Sequence, residues 1–255
     1  MSATRPAGRR GRLPVKPPAE RFPIQYLASY LPAPLPPPSY PVDVTGGVTA
    51  WGMLGNGPDP TCTTHPKGVR DCTFAGRQHY RMAKAAGGHQ TETLESSDAL
   101  VAEYLAYDHG QDHGANIADL LLYWYHAGAI LAFAPLDHTN PAEVDAAMTA
   151  FRGVYAGVNL TDDADSLFGH GQPWTTAGGQ QPDPRDGHCV LKVASDGTAF
   201  DTWVTWGAVQ QSTLQWTQAC LEEAWVIITD EDAAAGMVNL AALRADIDAL
   251  KGTGG

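Results

Sequence analysis

The chain has 255 residues, of which 44% are hydrophobic, and a formal net charge of −12 at pH 7. This length and apolar content suffice for one α+β domain, while the acidic balance argues against generic nucleic-acid binding. No apolar run reaches the ~18 residues of a membrane span and no signal-peptide pattern follows the basic N-terminus, so the expected location is cytoplasmic or virion-associated.

Residues 1–41 differ from the rest of the chain because they are rich in proline and arginine. Six basic residues against one acidic residue give residues 1–30 a net charge of +5, which leaves −17 on the remainder. Proline at this density favours an extended, polyproline-like chain. We expect an extended arm that docks on an acidic surface, of its own chain or of a neighbour. The alternative is a disordered solubilising tail.

Hydrophobic periodicity predicts helices through the first half of the body. The first covers residues 73–86; it follows Asp71, an N-cap residue type, and has Cys72 in its first turn. Further helices are predicted at 97–107, after the N-cap residue Asn116, and at 142–151, which is entered through Pro141.

The second half of the body is predicted to consist of strands, at residues 153–159, 188–194, 199–206 and 224–229. A loop at 171–184, rich in Gly, Pro and Gln, precedes the second of them. A last helix, 239–251, carries an apolar stripe that suits burial against its own domain or against another subunit. The stripe consists of Leu240, Leu243, Ile247 and Leu250.

Cys72 and His188 are the strongest candidates for chemistry. A helix N-terminus lowers the pKa of a thiol, and a histidine brought beside the thiol by the fold serves as its base. The simpler interpretation is a buried, inert cysteine in a core helix.

Two other groups contain metal-ligand residue types with unfavourable spacing. His109 and His113 lie among glycines that favour a loop, and Cys62, His65 and Cys72 fit no known zinc ribbon or finger spacing. We therefore expect no metal and no cofactor.

Four segments, in order, resemble the papain family of cysteine proteases, and their gaps over about residues 40–230 also follow that family. The first, residues 41–56, is similar to the start of the mature protease, and the later three to its nucleophile, D-H-A-V and N-S-W-G segments. The later three are Asp71-Cys72-Thr73-Phe74-Ala75, Asp186-Gly187-His188-Cys189-Val190 and Val204-Thr205-Trp206-Gly207.

This resemblance implies an α+β, papain-like two-lobe fold, with a helical lobe followed by an antiparallel β lobe. It divides the chain into an arm at 1–41, a papain-like domain at 42–232, and a C-terminal helix and tail at 233–255. It makes Cys72 the nucleophile and His188 the base, with Asn56 and the Cys72 amide at the oxyanion.

Two features depart from the family. Val204 occupies the position of the asparagine that orients the histidine, and Asp201 is the nearest substitute, although strand alternation tends to point it elsewhere. An insertion, residues 57–70, lies where the oxyanion hole is expected. It carries Cys62, and a disulfide between Cys62 and Cys72 would block the nucleophile.

The leading hypothesis is a papain-like cysteine hydrolase, a peptidase that acts on peptide or protein substrates with a degraded third triad position. The chain also resembles a papain-like group found in bacteriophages and some bacteria. This gives a second hypothesis, a catalytically quiet virion protein that contacts other subunits through residues 1–41 and 239–251. A third is a peptidoglycan-cleaving hydrolase. No nucleic-acid or membrane partner is expected.

Overall fold

The computed structural model describes residues 7–16, 24–88 and 94–250. Its strands are β1 (Val42–Asp43), β2 (Ala132–Pro135), β3 (Val154–Thr161), β4 (Pro182–Ser195), β5 (Phe200–Thr205), β6 (Ala208–Thr213) and β7 (Leu221–Ile228). They form one antiparallel sheet in the order β2-β7-β3-β4-β5-β6, and β1 pairs with the C-terminal end of β4.

Helices pack around this sheet, and three of the five longest lie between β1 and β2 in the chain. They are α1 (Cys72–Ala86), α2 (Ser97–Tyr107), α3 (Ile117–His126), α4 (Pro141–Phe151), α5 (Ala164–Gly169), α6 (Leu214–Cys220), α7 (Asp230–Ala234) and α8 (Leu240–Ala249). The result is an α+β fold, as expected. Helix α1 packs mainly on β4, so the two elements that carry Cys72 and His188 are in direct contact.

The predicted helices are confirmed with small changes at their ends. α2 has the predicted bounds. The side chain of Asn116 caps α3 by accepting a hydrogen bond from the Asp119 amide at 3.2 Å. α4 includes Pro141 as its first residue, where a missing N–H costs nothing.

No sequence pattern predicted β2, β6, α5, α6 or α7. Each has only four to seven residues, too few for a hydrophobic period to be read. The loop expected at 171–184 is also shorter than predicted, because β4 already begins at Pro182, which pairs with Thr161 of β3. β2 forms by pairing with β7, far along the chain, whereas β6 pairs with the adjacent strand β5.

The apolar stripe of α8 packs on the chain itself. Leu243 and Ile247 are fully buried, and α8 lies against β2 and a short 3-10 helix, Leu27–Tyr30. The Tyr30 hydroxyl donates to Asp246 of α8 at 2.6 Å. Leu243 and Ile247 thus pack within the chain, and a contact of residues 239–251 with another subunit stays a prediction. Lys251 lies outside the described residues.

No helix among the described residues combines the length and the apolar character needed to cross a bilayer.

His79 of α1 is expected to make folding pH-dependent. It is buried beside Trp51, its Nε2 lies 3.1 Å from the Gly52 carbonyl oxygen, and burial lowers its pKa to about 4. An unfolded histidine binds a proton near pH 6.5, so the stability that depends on neutral His79 is complete above that pH. It is lost as pH falls toward 4, by about 3 kcal/mol.

The measurement is urea unfolding of the wild-type and His79→Phe proteins between about pH 4 and pH 7.5. We expect the substitution to reduce the dependence of the unfolding free energy on pH, because phenylalanine takes up no proton in the unfolded state. His126→Gln, at an exposed position, is the matched control and should leave the wild-type slope. Equal slopes for all three proteins would contradict a buried neutral histidine.

Candidate active site

Cys72 is the first residue of α1 and is only 1% exposed. The backbone amides of Cys189 and Gly11 donate hydrogen bonds toward its sulfur. The Cys189 amide belongs to the residue that follows His188, so the thiol and the histidine segment are brought together. Burial is nevertheless the dominant effect on the thiol and raises its pKa to about 12, against the hydrogen bonds that lower it. In this closed form Cys72 is a protonated thiol.

His188 lies on β4 and is 1% exposed. Its Nε2 is 2.6 Å from the hydroxyl of Thr205, while its Nδ1 is buried without a hydrogen-bond partner. The ring of Trp206 covers it, with centroids 4.7 Å apart at 31°. Burial, followed by Arg10 and Arg12, lowers the pKa of His188 well below its usual range. The imidazole is therefore neutral, with Nε2 at the Thr205 hydroxyl and Nδ1 without a hydrogen-bond partner.

Thr205, and neither Val204 nor Asp201, contacts a ring nitrogen of His188. Adjacent residues of a strand face opposite sides, so Val204 is wholly buried while Thr205 meets the histidine. The carboxylate of Asp201 instead pairs with Lys192 at 2.8 Å, inside the protein. This corrects the expectation for Asp201. The sequence signal that could have identified Thr205 was strand alternation, because a neighbour of Val204 faces the opposite side of the strand.

Asn56 is buried beside the start of α1. Its Nδ2 donates to the Val69 carbonyl oxygen at 3.4 Å, while both carboxylate oxygens of Asp71, the residue before the thiol, are buried without a hydrogen-bond partner. Asp71 is fully buried, and desolvation raises its pKa well above the usual range. Asn56 thus reaches the neighbourhood of the Cys72 amide, but with its donor already engaged.

The insertion at 57–70 is tied down by hydrogen bonds. Asp59 accepts from the Ser97 hydroxyl at 2.7 Å, and the sulfur of Cys62 lies 3.5 Å from Asp98. All four cysteines are free, so no disulfide joins Cys62 to Cys72. Over residues 7–16, 24–88 and 94–250, no three His, Cys, Asp or Glu side chains are grouped as a metal site.

Residues 7–14 of the N-terminal segment run directly over the thiol. The Gly11 carbonyl accepts from the Ala115 amide at 2.7 Å, and the Leu13 amide donates back to the Ala115 carbonyl at 2.9 Å. The Arg12 amide donates to the Gly187 carbonyl at 3.3 Å, one residue before His188. The segment therefore bridges the two sides of the site as an extended peptide.

Two glycines allow this close approach. A Cβ at Gly11 would collide with the carbonyl oxygen of Arg70, and one at Gly8 would collide with the Asn56 carbonyl oxygen and the Trp206 ring. Any other residue at these positions would have to lift the segment away from the site.

The basic side chains of this segment pair with the acidic body. Arg10 lies 2.9 Å from Asp165 and 2.7 Å from Asp186, and Lys16 lies 2.7 Å from Asp119. Since these pairs are partly exposed, each adds modestly and weakens as salt is added. The charge asymmetry seen in the sequence is thus satisfied within one chain over residues 7–16; residues 1–6 and 17–23 lie outside the described ranges.

A mixed helical and antiparallel framework, with a thiol at a helix start and a histidine on the strand that the helix packs against, resembles that of papain-like cysteine proteases, and this chain has a distant papain-like fold. The crystal structure of xylellain, a cysteine protease from Xylella fastidiosa, is similar to it with a TM-score of 0.56. The similarity covers 90% of this chain and 98% of that chain, at 13% sequence identity. No protein-family model and no curated protein matches the sequence.

Proposed function

We propose that this chain is a latent papain-like thiol hydrolase, a cysteine peptidase whose own residues 8–14 close its site. The observation that carries the proposal is the hydrogen-bond pattern around Cys72 and His188. The thiol lies under the amide that follows the histidine, and the histidine keeps one ring nitrogen fixed by Thr205 and the other unpartnered.

The chemistry follows from these positions. Once the segment leaves, water reaches the thiol and its pKa falls, because desolvation is the main cause of the raised value. Nδ1 of His188 takes the thiol proton, the sulfur attacks the substrate carbonyl, and the imidazolium returns the proton to the leaving amine. Water then attacks the acyl-enzyme, with His188 as base, and releases the acid.

The oxyanion is stabilised by the start of α1. The first amides of a helix have no intrahelical acceptor, and the helix dipole places partial positive charge there. The Cys72 amide is one of these donors, and Asn56 supplies a second only if its carboxamide turns from the Val69 carbonyl. Because this second donor starts engaged, we propose that the oxyanion depends mainly on the backbone.

A second candidate is a permanently closed, catalytically quiet protein. It is favoured by the neutral state of both groups and by the depth at which Gly11 and Arg12 are seated. The two candidates differ in whether displacement of the segment produces hydrolysis.

The test is peptide hydrolysis by the full-length Gly11→Ala protein, in which the added methyl group displaces the segment. A mixed peptide library read by mass spectrometry presents many side chains at once, so it detects cleavage whatever the sequence preference. We expect cleavage that is lost in Gly11→Ala/Cys72→Ala and in Gly11→Ala/His188→Ala. No cleavage, although Cys72 reacts with a thiol-directed epoxide, would leave the quiet candidate.

Thr205 is expected to act by positioning His188. In the Gly11→Ala background, Thr205→Val removes the hydroxyl at nearly constant volume and should lower kcat roughly 100-fold with a smaller change in KM. Thr205→Ser keeps the hydroxyl and should restore most of the rate. A kcat unchanged by valine would show that Trp206 stacking alone orients the ring.

A further inference from the structure

The side chain of Arg12 fills a closed acidic pocket. It is 1% exposed, with Nη1 at 3.2 Å from Oε1 of Glu223 and Nη2 at 3.2 Å from the carbonyl oxygen of Val158. Nη2 also donates to the side-chain oxygen of Asn159. Three acceptors thus surround one guanidinium group, a planar donor set that arginine has and lysine lacks.

The body of the protein builds this pocket without help from the segment. The Glu223 side chain is 7% exposed, and its second oxygen accepts from Nε1 of Trp225 at 2.9 Å. Gly157 leaves the necessary space, since a Cβ there would lie 2.6 Å from Cδ of Arg12 and 2.7 Å from Cγ of Glu223. A buried carboxylate without a cation is strongly unfavourable, so the vacated pocket favours a new positive side chain.

The pocket lies next to the reactive centre. The backbone of Arg12 bonds Gly187, the neighbour of His188, and the preceding residue, Gly11, bonds the sulfur of Cys72. A peptide that follows the path of the segment therefore places one side chain in this pocket and its adjoining peptide group at the thiol.

We propose that this pocket gives the site its substrate class, peptides with an arginine at the position that Arg12 now occupies. The proposal rests on the proposed function for the act of cleavage, but not for binding. Glu223 and Asn159 select the guanidinium, Gly157 makes room for it, and the backbone of the substrate replaces the bonds of residues 11–13.

The test is binding in trans of a fluorescent peptide with the sequence of residues 7–16 to full-length Gly11→Ala/Arg12→Ala/Cys72→Ala protein. The thiol is absent, so binding is measured without chemistry. Peptides carry Arg, Lys, citrulline or Ala at the place of Arg12. The chain's own segment competes equally with each peptide, so the affinity ratios report only this side chain.

We expect the arginine peptide to bind roughly 30-fold or more tightly than the citrulline and alanine peptides, with lysine between them. Glu223→Gln should abolish the preference, while Asp230→Asn, which removes one exposed charge just beyond β7, should keep it. The citrulline comparison needs no change in the pocket and so does not depend on the folding of Glu223→Gln.

Equal affinities for arginine and citrulline, or no binding of any peptide, would overturn the pocket assignment. Arginine-selective binding with no cleavage by the Cys72-containing protein would support the pocket and reject the hydrolase. Cleavage with no arginine preference would support the hydrolase and reject the pocket assignment.

Discussion

Alanine at Gly11 is expected to raise the rate of iodoacetamide modification of Cys72 by at least about 100-fold. With a pKa of about 12, Cys72 carries almost no thiolate near neutral pH. An exposed thiol with a pKa near 8.5 carries on the order of 10³ times more. The lower intrinsic nucleophilicity of the less basic thiolate offsets part of this gain. The added Cβ cannot be accommodated beside the Arg70 carbonyl.

The measurement is mass-spectrometric peptide mapping of alkylation over time, which reports each cysteine separately. Gly46→Ala is the matched control, since a Cβ at Gly46 meets nothing within 4 Å, and it should leave Cys72 protected. Faster modification of Cys62, Cys189 and Cys220 together with Cys72 would indicate general unfolding. An unchanged Cys72 rate would show that the segment does not protect the thiol.

Loss of the Lys84 cation is expected to cost about 3–5 kcal/mol of stability, because it removes the cation that faces the buried Asp232 carboxylate. Both side chains are 0% exposed, and they join the last turn of α1 to α7. Burial lowers the pKa of Lys84, and Asp232 opposes that change. Small domains have unfolding free energies of about 5–15 kcal/mol, so the Lys84→Ala protein should be only marginally stable.

Urea unfolding followed by circular dichroism measures this cost. Lys84→Met/Asp232→Leu, which removes both charges, should be more stable than Lys84→Ala alone, since no buried charge then lacks a partner. Arg185→Ala breaks an exposed pair with Asp183 and should barely move the midpoint. A Lys84→Ala protein as stable as the wild type would mean that the interior there admits water.

The long, periodic helices were predictable because their signal is local. The bounds of α2, the caps of α3 and α4, and the position of Cys72 at the start of α1 all follow from residue types within one or two turns. The short elements were not predictable, because α5, α6, α7, β2 and β6 have only four to seven residues each, too few for a hydrophobic period.

The same distinction applies to the site. Residue types and motif order alone selected Cys72 and His188. Asp201 and Thr205 share one face of β5 because they are four residues apart. The choice between them required knowing how far along the strand His188 lies, and that Lys192 on β4 already pairs with Asp201. The apolar stripe of α8 had two possible partners in the sequence, and the structure shows the one within the chain, the packing against β2.

The sequence by itself determined an acidic α+β body, a basic arm, and a cysteine and a histidine in the order of a thiol hydrolase. Only the tertiary structure decided that the arm enters the site and seats Arg12 on Glu223. These residues are 211 positions apart, and charge asymmetry attracts an arm to a whole surface without choosing a place on it. The docking place of the arm is set by Gly8, Gly11 and Gly157, which let its backbone and the Arg12 guanidinium approach the body closely. This fit depends on the shape of a surface that exists only once the chain has folded.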